Sequence, residues 1–188
     1  MLKPIEEFAK YMAITGFKNV KIKDVEEFLE KINREKPASV DVQFFDAELV
    51  ATWQHLYFAV LNALTAFKNK QNISKTLAIE IMLYASAQRQ IRKAMELIGI
   101  KPNLSKIAVI AVGEDPETVK TAVSTVLKHA NAKQDDGVLE LTDAKMKEVQ
   151  RVFGISDVEI ETVAEGDDLK GALVDLVIER MALLSVQH

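Results

Sequence analysis

The sequence predicts an α/β fold: a single domain with a small mixed sheet of about five strands, flanking helices and a helical hairpin. Short apolar runs alternate with longer segments of helical periodicity, which is the first observation behind this prediction. The second is a composition of 48% hydrophobic and 28% charged residues, typical of a folded globular chain. The third is a length of 188 residues without a Gly/Ser-rich or Pro-rich linker, so we expect one domain over 1–188.

Five short runs of β-branched or alternating apolar residues, each bounded by turn residues, predict the strands. These runs are residues 11–15, 39–45, 106–112, 137–141 and 157–163. Helical segments separate most of them, which is the order expected of a layered α/β fold.

Six segments with a 3.6-residue apolar period predict the helices. They are residues 24–34, 47–68, 75–98, 116–130, 143–153 and 168–186. Residues suited to N-caps precede four of them, namely Asp46, Ser74, Asp115 and Thr142. The two long helices 47–68 and 75–98 follow each other directly, so we expect them to form a hairpin packed on the sheet.

Charge and residue usage exclude several classes of function. The 24 Lys and Arg residues against 28 Asp and Glu residues leave a net charge of -4, so a nucleic-acid site has to be a local patch. No cysteine is present, and the three histidines are far apart in the sequence, so we expect neither a metal nor a cofactor. The opening residues lack the basic start and apolar run of a secretory signal, and we expect a cytoplasmic protein.

An enzyme of small-molecule metabolism is the alternative function. The sequence contains neither a GxGxxG nor a GxxxxGK[ST] phosphate loop. His55 and Asn62 lie seven residues apart on one side of the predicted helix 47–68, and a small-molecule site could use them. A structural, hydrogen-bonded pair is the other interpretation of these two residues.

The predicted helix 75–98 carries a cationic stripe. Met82, Ser86, Arg89 and Lys93 follow at steps of four, three and four, and Lys68 lies just before the helix. A guanidinium fork, an ammonium group and a hydroxyl on a rigid helix suit phosphate recognition. An ordinary solvated helix face carries the same residues, so spacing alone leaves both interpretations open.

The predicted C-terminal helix has two apolar stripes. The first contains Leu169, Leu173, Leu176 and Leu183, and the second contains Val174, Ile178 and Met181. One stripe can face the core while the other faces a partner. A helix buried on two sides of its own domain would show the same pattern.

The segment 80–91, EIMLYASAQRQI, preceded by residues 45–67 and by Asn72-Ile73-Ser74, resembles the Cgi-type subunit of the KEOPS complex, and its most specific part is LYASAQRQI at 83–91. Relatives of that subunit include the eukaryotic TPRK-binding protein family. A glycine is common in this family where Ala87 stands.

The resemblance implies a small non-catalytic subunit that binds the Bud-type atypical kinase subunit of KEOPS. That complex also holds a Kae-type threonylcarbamoyl transferase and installs threonylcarbamoyl-adenosine in tRNA, and the Cgi-type subunit holds the single-stranded CCA 3′ end. Combined with the two helix patterns, this leads us to expect tRNA contacts and kinase contacts at separate sites. The residues expected at the tRNA end are Arg89, Lys93, Ser86 and Lys68, and those expected at the kinase subunit are Val174, Ile178 and Met181.

Overall fold

The computed structural model describes residues 1–186. Contacts within the chain divide it into two units, one formed by Met1–Ala47 and Gly99–Leu139, the other by Glu48–Ile98 and the described residues from Glu140 onward. The predicted α/β class is confirmed, with about five strands and flanking helices. The assignment of residues 1–188 to one domain stays a prediction.

The first unit contains the sheet. Its strands are β1 (Leu2–Ile5), β2 (Lys10–Lys18), β3 (Asp41–Asp46), β4 (Lys106–Gly113) and β5 (Lys133–Gln134). The order is β1-β2-β4-β3, with β5 also paired to β2, and each of these pairings is antiparallel. The prediction of a mixed sheet is therefore wrong, because β4 lies between β2 and β3 and keeps these two like-directed strands apart.

Two helices of the first unit, α1 (Val25–Glu35) and α5 (Pro116–Ala130), supply apolar side chains to its core. Each begins at an aspartate whose carboxylate accepts a backbone N–H three residues on: Asp24 from Glu27 at 2.9 Å and Asp115 from Thr118 at 2.8 Å. Both helices lie close to the bounds expected from the sequence. The core cluster joins them to the sheet through Phe17, Phe28, Phe44, Ile107 and Val126.

The second unit is helical in its described part. Its helices are α2 (Trp53–Lys68), α3 (Leu77–Ser86), α4 (Ile91–Ile98), α6 (Asp143–Phe153), α7 (Asp157–Val163) and α8 (Leu169–Leu183). The predicted hairpin forms between α2 and α3, which pack against each other. Among residues 1–186, no helix combines the length and the apolar character needed to cross a bilayer.

Two predicted strands are wrong. Residues 157–163 form the helix α7, because Ser156 and Glu159 make a reciprocal capping box that satisfies the first backbone donors of a helix. Residues 137–141 fall in a 3₁₀ turn, Asp136–Leu139, and the chain that follows it. Both segments are short and contain three apolar side chains each, a pattern that turns and short helices also provide.

Candidate functional site

The helix predicted over 75–98 is broken in the middle. It consists of α3 and α4, and Ala87 between them adopts the left-handed conformation with φ of 51°. The Ala87 N–H donates to the Tyr84 carbonyl at 2.9 Å and the Gln88 N–H donates to the Leu83 carbonyl at 3.0 Å, which is the Schellman pattern. The left-handed position is the one that glycine fills most easily, and glycine is common at this position in the family that the segment resembles.

The break divides the predicted cationic stripe and changes what its residues contact. Ser86 is 1% exposed and its hydroxyl donates to the Leu83 carbonyl at 3.1 Å, so its assignment to the tRNA end is corrected: the side chain closes the helix. Arg89, Lys93 and Lys68 are exposed. Met82 lies in the core, 3% exposed, and Gln88 lies in the turn between α3 and α4.

Replacing Ala87 with glycine is expected to stabilise the protein. A non-glycine residue in the left-handed region costs about 1 kcal/mol, and glycine removes that cost. We expect Ala87→Gly to raise the free energy of unfolding by about this amount in urea titrations. The reciprocal control is Gly154→Ala at the end of α6, where φ is 62° and open space surrounds the site, and it should lose a similar amount. A destabilised Ala87→Gly variant would contradict this account of the break.

Arg89 lies at the wall of a cavity of about 210 Å³, which we call the Arg89 cavity. The cavity is lined by Gln71, Ile73, Tyr84, Arg89, Leu184 and Ser185. The Arg89 Nη1 donates to the Leu184 carbonyl at 3.2 Å, which fixes the guanidinium at this wall. The cavity therefore combines an exposed cation with apolar and aromatic walls.

Tyr84 contributes a hydroxyl in a partly desolvated environment. Burial raises the pKa of this hydroxyl above its ordinary value, the charge of Glu80 raises it further and the charge of Arg89 opposes the change. The phenol therefore stays protonated at neutral pH and is available as a hydrogen-bond donor.

Cations dominate the exposed surface of the segment 68–93. Six cationic residues in this segment are exposed, namely Lys68, Lys70, Lys75, Arg89, Arg92 and Lys93. The one carboxylate within it, Glu80, is 0% exposed. The exposed charged side chains of this segment are therefore all cationic in a protein of net charge -4, and one of them, Arg92, pairs with Glu96 at 2.8 Å.

The structure corrects the assignment of the two stripes of α8. Met181 is 0% exposed and belongs to the core, because α8 packs against α2, α3, α6 and α7. Val174 and Ile178 are half-buried and lie one turn apart at the border of the buried arc. Leu169 and Leu183, expected in the core stripe, are 43% and 41% exposed. Of the stripe predicted to contact a partner, Val174 and Ile178 are therefore the accessible part.

His55 is a structural residue of the second unit. It is 0% exposed, the Ala51 N–H donates to its Nδ1 at 3.2 Å, and its Nε2–H donates to the Ala85 carbonyl at 2.7 Å. Both ring nitrogens of this neutral imidazole therefore bond backbone groups. Asn62, the other residue of the predicted pair, is half-buried. The arrangement matches the structural interpretation of His55 and leaves its imidazole no access to a small molecule.

Acid is expected to weaken the fold through His55. Burial lowers the pKa of His55 in the folded protein to about 4, helped by the charge of Lys145 and opposed by the bond to Ala85. The unfolded chain takes up this proton near pH 6.5, so it binds more protons than the folded chain between these values. The free energy of unfolding should fall by up to about 3 kcal/mol as pH falls from 6.5 to 4.

Urea titrations from pH 6.5 to 4 on the wild type and on His55→Gln, which lacks the titrating ring, test this prediction. The difference in free energy of unfolding between wild type and variant should shrink as pH falls, because carboxylate titrations are common to both proteins. A difference that stays constant from pH 6.5 to 4 would contradict the assignment of a buried neutral imidazole.

Sequence patterns do not reveal the residues that surround Arg89. The helical period places Tyr84 on the core face, and no pattern assigns Glu80, Ile73 or Leu184 a role at a binding site. A signal for Glu80 exists, since it is the one charged residue in the otherwise apolar run 77–87. A lone acid among apolar neighbours on a helix has to find hydrogen-bond donors when that helix is buried.

These features are typical of a binding protein. They are the exposed Arg89 at a cavity, an accessible apolar border on α8, and a buried histidine whose ring nitrogens both bond backbone groups. The chain belongs to the CGI-121 family, whose model, described as kinase binding protein CGI-121, matches residues 17–185. A similar relative is the regulatory protein Cgi121 of Methanocaldococcus jannaschii, 30% identical over 145 residues, which cover 77% of this chain and 83% of the relative. The resemblance seen in the segment 83–91 is thus confirmed.

Proposed function

We propose that this protein is a non-catalytic, kinase-binding subunit of a KEOPS-type complex that modifies tRNA in the cytoplasm. The observation that carries the proposal is the match of residues 17–185 to a family described as kinase binding. The partner is the Bud-type kinase subunit. Val174 and Ile178 form the centre of its contact, since they are the part of the predicted interface stripe that the fold leaves accessible.

A second part of the proposal concerns tRNA. Arg89, Lys93 and Lys68 contact the single-stranded CCA 3′ end, with Arg89 at the wall of its cavity and the other two as exposed cations of the same segment, 68–93. Exposed cations within one short segment suit a few phosphates and an unstacked terminus better than a long duplex. The protonated Tyr84 hydroxyl and the apolar wall of Ile73 suit the polar edge and the face of an unstacked base.

Reconstitution of the modification reaction tests the proposed function. The kinase and transferase subunits are assayed for threonylcarbamoylation of tRNA with and without this protein, using tRNA that carries or lacks the CCA end. We expect the protein to stimulate modification of the complete tRNA and to have little effect on the truncated one. Equal rates with and without the protein on both substrates would contradict the proposal.

A further inference from the structure

Glu80 is a buried carboxylate on the first turn of α3 that bonds the loop before the helix. Its Oε1 and Oε2 accept the Ile73 N–H at 3.1 and 3.0 Å, and Oε2 also accepts the Ser74 N–H at 2.7 Å. The side chain is 0% exposed. These partners are donors, which suits an ionised carboxylate that can only accept.

The loop between α2 and α3 depends on such bonds because it has no helix or strand ladder over residues 71–76. Its other bonds are local: the Asn72 Nδ2 donates to the Ser74 carbonyl at 2.9 Å and the Gln71 N–H donates to the Ala66 carbonyl at 2.8 Å. Lys70 adopts φ of 57°, an unfavourable value for a lysine, so the loop has a defined and locally strained path. Glu80 supplies the partners for the two backbone donors in the middle of this path.

The same loop forms one wall of the Arg89 cavity. Gln71 and Ile73 of this loop line the cavity together with Tyr84 and Arg89. The amide that Glu80 bonds is that of Ile73, the residue whose side chain is 37% exposed at this wall. The backbone of this wall is therefore held by a buried carboxylate.

We propose that Glu80 is a positioning residue for the RNA site: it holds residues 71–74 in the binding geometry before the RNA arrives. This inference rests on the proposed function. A preset wall removes the ordering cost that a mobile loop would subtract from the binding free energy. The carboxylate of Glu80 is buried and accepts backbone amides, so the exposed charged side chains of 68–93 are all cationic.

For Glu80→Gln, the loss of charge and the loss of positioning predict opposite changes in RNA affinity. Glu80→Gln removes a negative charge near an anion site, so electrostatics alone predicts tighter RNA binding. The carboxamide also presents an NH₂ group to a backbone donor, so at least one loop hydrogen bond is lost. If the preset loop falls to about a tenth of the population, the apparent affinity falls about tenfold.

The test measures the binding of tRNA with and without its CCA end to the full-length wild type, Glu80→Gln and Val149→Ala. Val149 is fully buried in the core cluster of the second unit, and its truncation controls for general loss of stability. We expect Glu80→Gln to bind complete tRNA about tenfold more weakly. We also expect it to bind the kinase subunit normally, and to exchange the Ile73 and Ser74 amide protons faster. Val149→Ala should keep wild-type RNA affinity.

Each other outcome overturns the inference in a distinguishable way. Unchanged or tighter RNA binding by Glu80→Gln shows that the carboxylate does not position the site, and an equal loss in Val149→Ala shows that stability alone is responsible. Wild-type protein that binds both tRNAs equally removes the proposed RNA function, and this inference with it. If Glu80→Gln does not fold, Glu80→Asp keeps the charge, shortens the reach and is judged by the same comparisons.

Discussion

An arginine at position 178 is expected to abolish association with the kinase subunit. Ile178 is half-buried at the border of α8, so its side chain reaches the surface where a partner can cover it. Covering an unpaired guanidinium costs several kcal/mol against binding, which corresponds to a loss of affinity of at least about 100-fold. The isolated Ile178→Arg protein should still fold, because the long side chain can extend into water when no partner is present.

The matched control for this variant is Leu183→Arg. Leu183 lies on the same helix, is 41% exposed and points about 140° away from Ile178. Leu183→Arg introduces the same side chain at an exposed apolar position, and this variant should still bind the kinase subunit. Titration calorimetry with the kinase subunit and thermal melts of each variant separate binding from folding. Normal binding by Ile178→Arg, or a melt far below that of Leu183→Arg, would place Ile178 in the core and contradict the interface.

Loss of the Arg89 guanidinium is expected to weaken tRNA binding about tenfold, since it removes the charge-assisted hydrogen bonds that we propose Arg89 makes to the RNA backbone. Removing one cation that pairs with a phosphate should also flatten the salt dependence, by about 0.7 in the log–log slope for a single strand. Arg89→Ala should therefore show both effects in binding measured over a range of salt concentrations. Association with the kinase subunit should be unchanged.

Two controls define the Arg89 site. Arg92→Ala removes the same side chain one residue into α4, where Arg92 is exposed and pairs with Glu96 at 2.8 Å, and it should change tRNA affinity by no more than about twofold. Removing the CCA end from the tRNA should mimic Arg89→Ala with wild-type protein, and combining the two changes should add little. Additive losses would mean that Arg89 contacts another part of the tRNA.

Strong periodic patterns make much of the fold predictable. The bounds of α5 and α6 agree with the sequence prediction, because Asp115 and Thr142 cap them and their apolar periods are regular. The segment 157–163 is predicted as a strand from its alternating apolar residues. It forms a helix because Ser156 and Glu159 cap its first turn. A local hydrogen-bonding signal decides the structure where the hydrophobic pattern is ambiguous.

The candidate site is less predictable because it depends on a break that has no strong marker. Ala87 is a good helix former, so the sequence suggests one continuous helix, and a count of 3.6 residues per turn then places Ser86 beside Arg89. The left-handed turn at Ala87 separates them. The prediction that Met181 contacts a partner is wrong for another reason. The periodicity of α8 shows which residues form its apolar arc, but not that four other helices cover this arc.

The charge pattern is more informative than the helical geometry. Arg89, Lys93 and Lys68 are exposed as the cationic pattern requires, since long charged side chains are costly to bury. The role of Glu80 is not predictable from the sequence because its hydrogen-bond partners are backbone amides of a loop, and a sequence does not show where such amides point. Tertiary hydrogen bonds of this kind need coordinates.

The central claim of this account is that the protein acts as a binding subunit for a kinase, and direct binding tests it best. Titration calorimetry of this protein into the purified Bud-type kinase subunit should give a saturable one-to-one isotherm, with co-elution of the two proteins on a sizing column. The account predicts this complex in the absence of tRNA and of any small molecule. No heat of binding and separate elution at about 100 μM of each protein, where even weak specific interfaces associate, would contradict it.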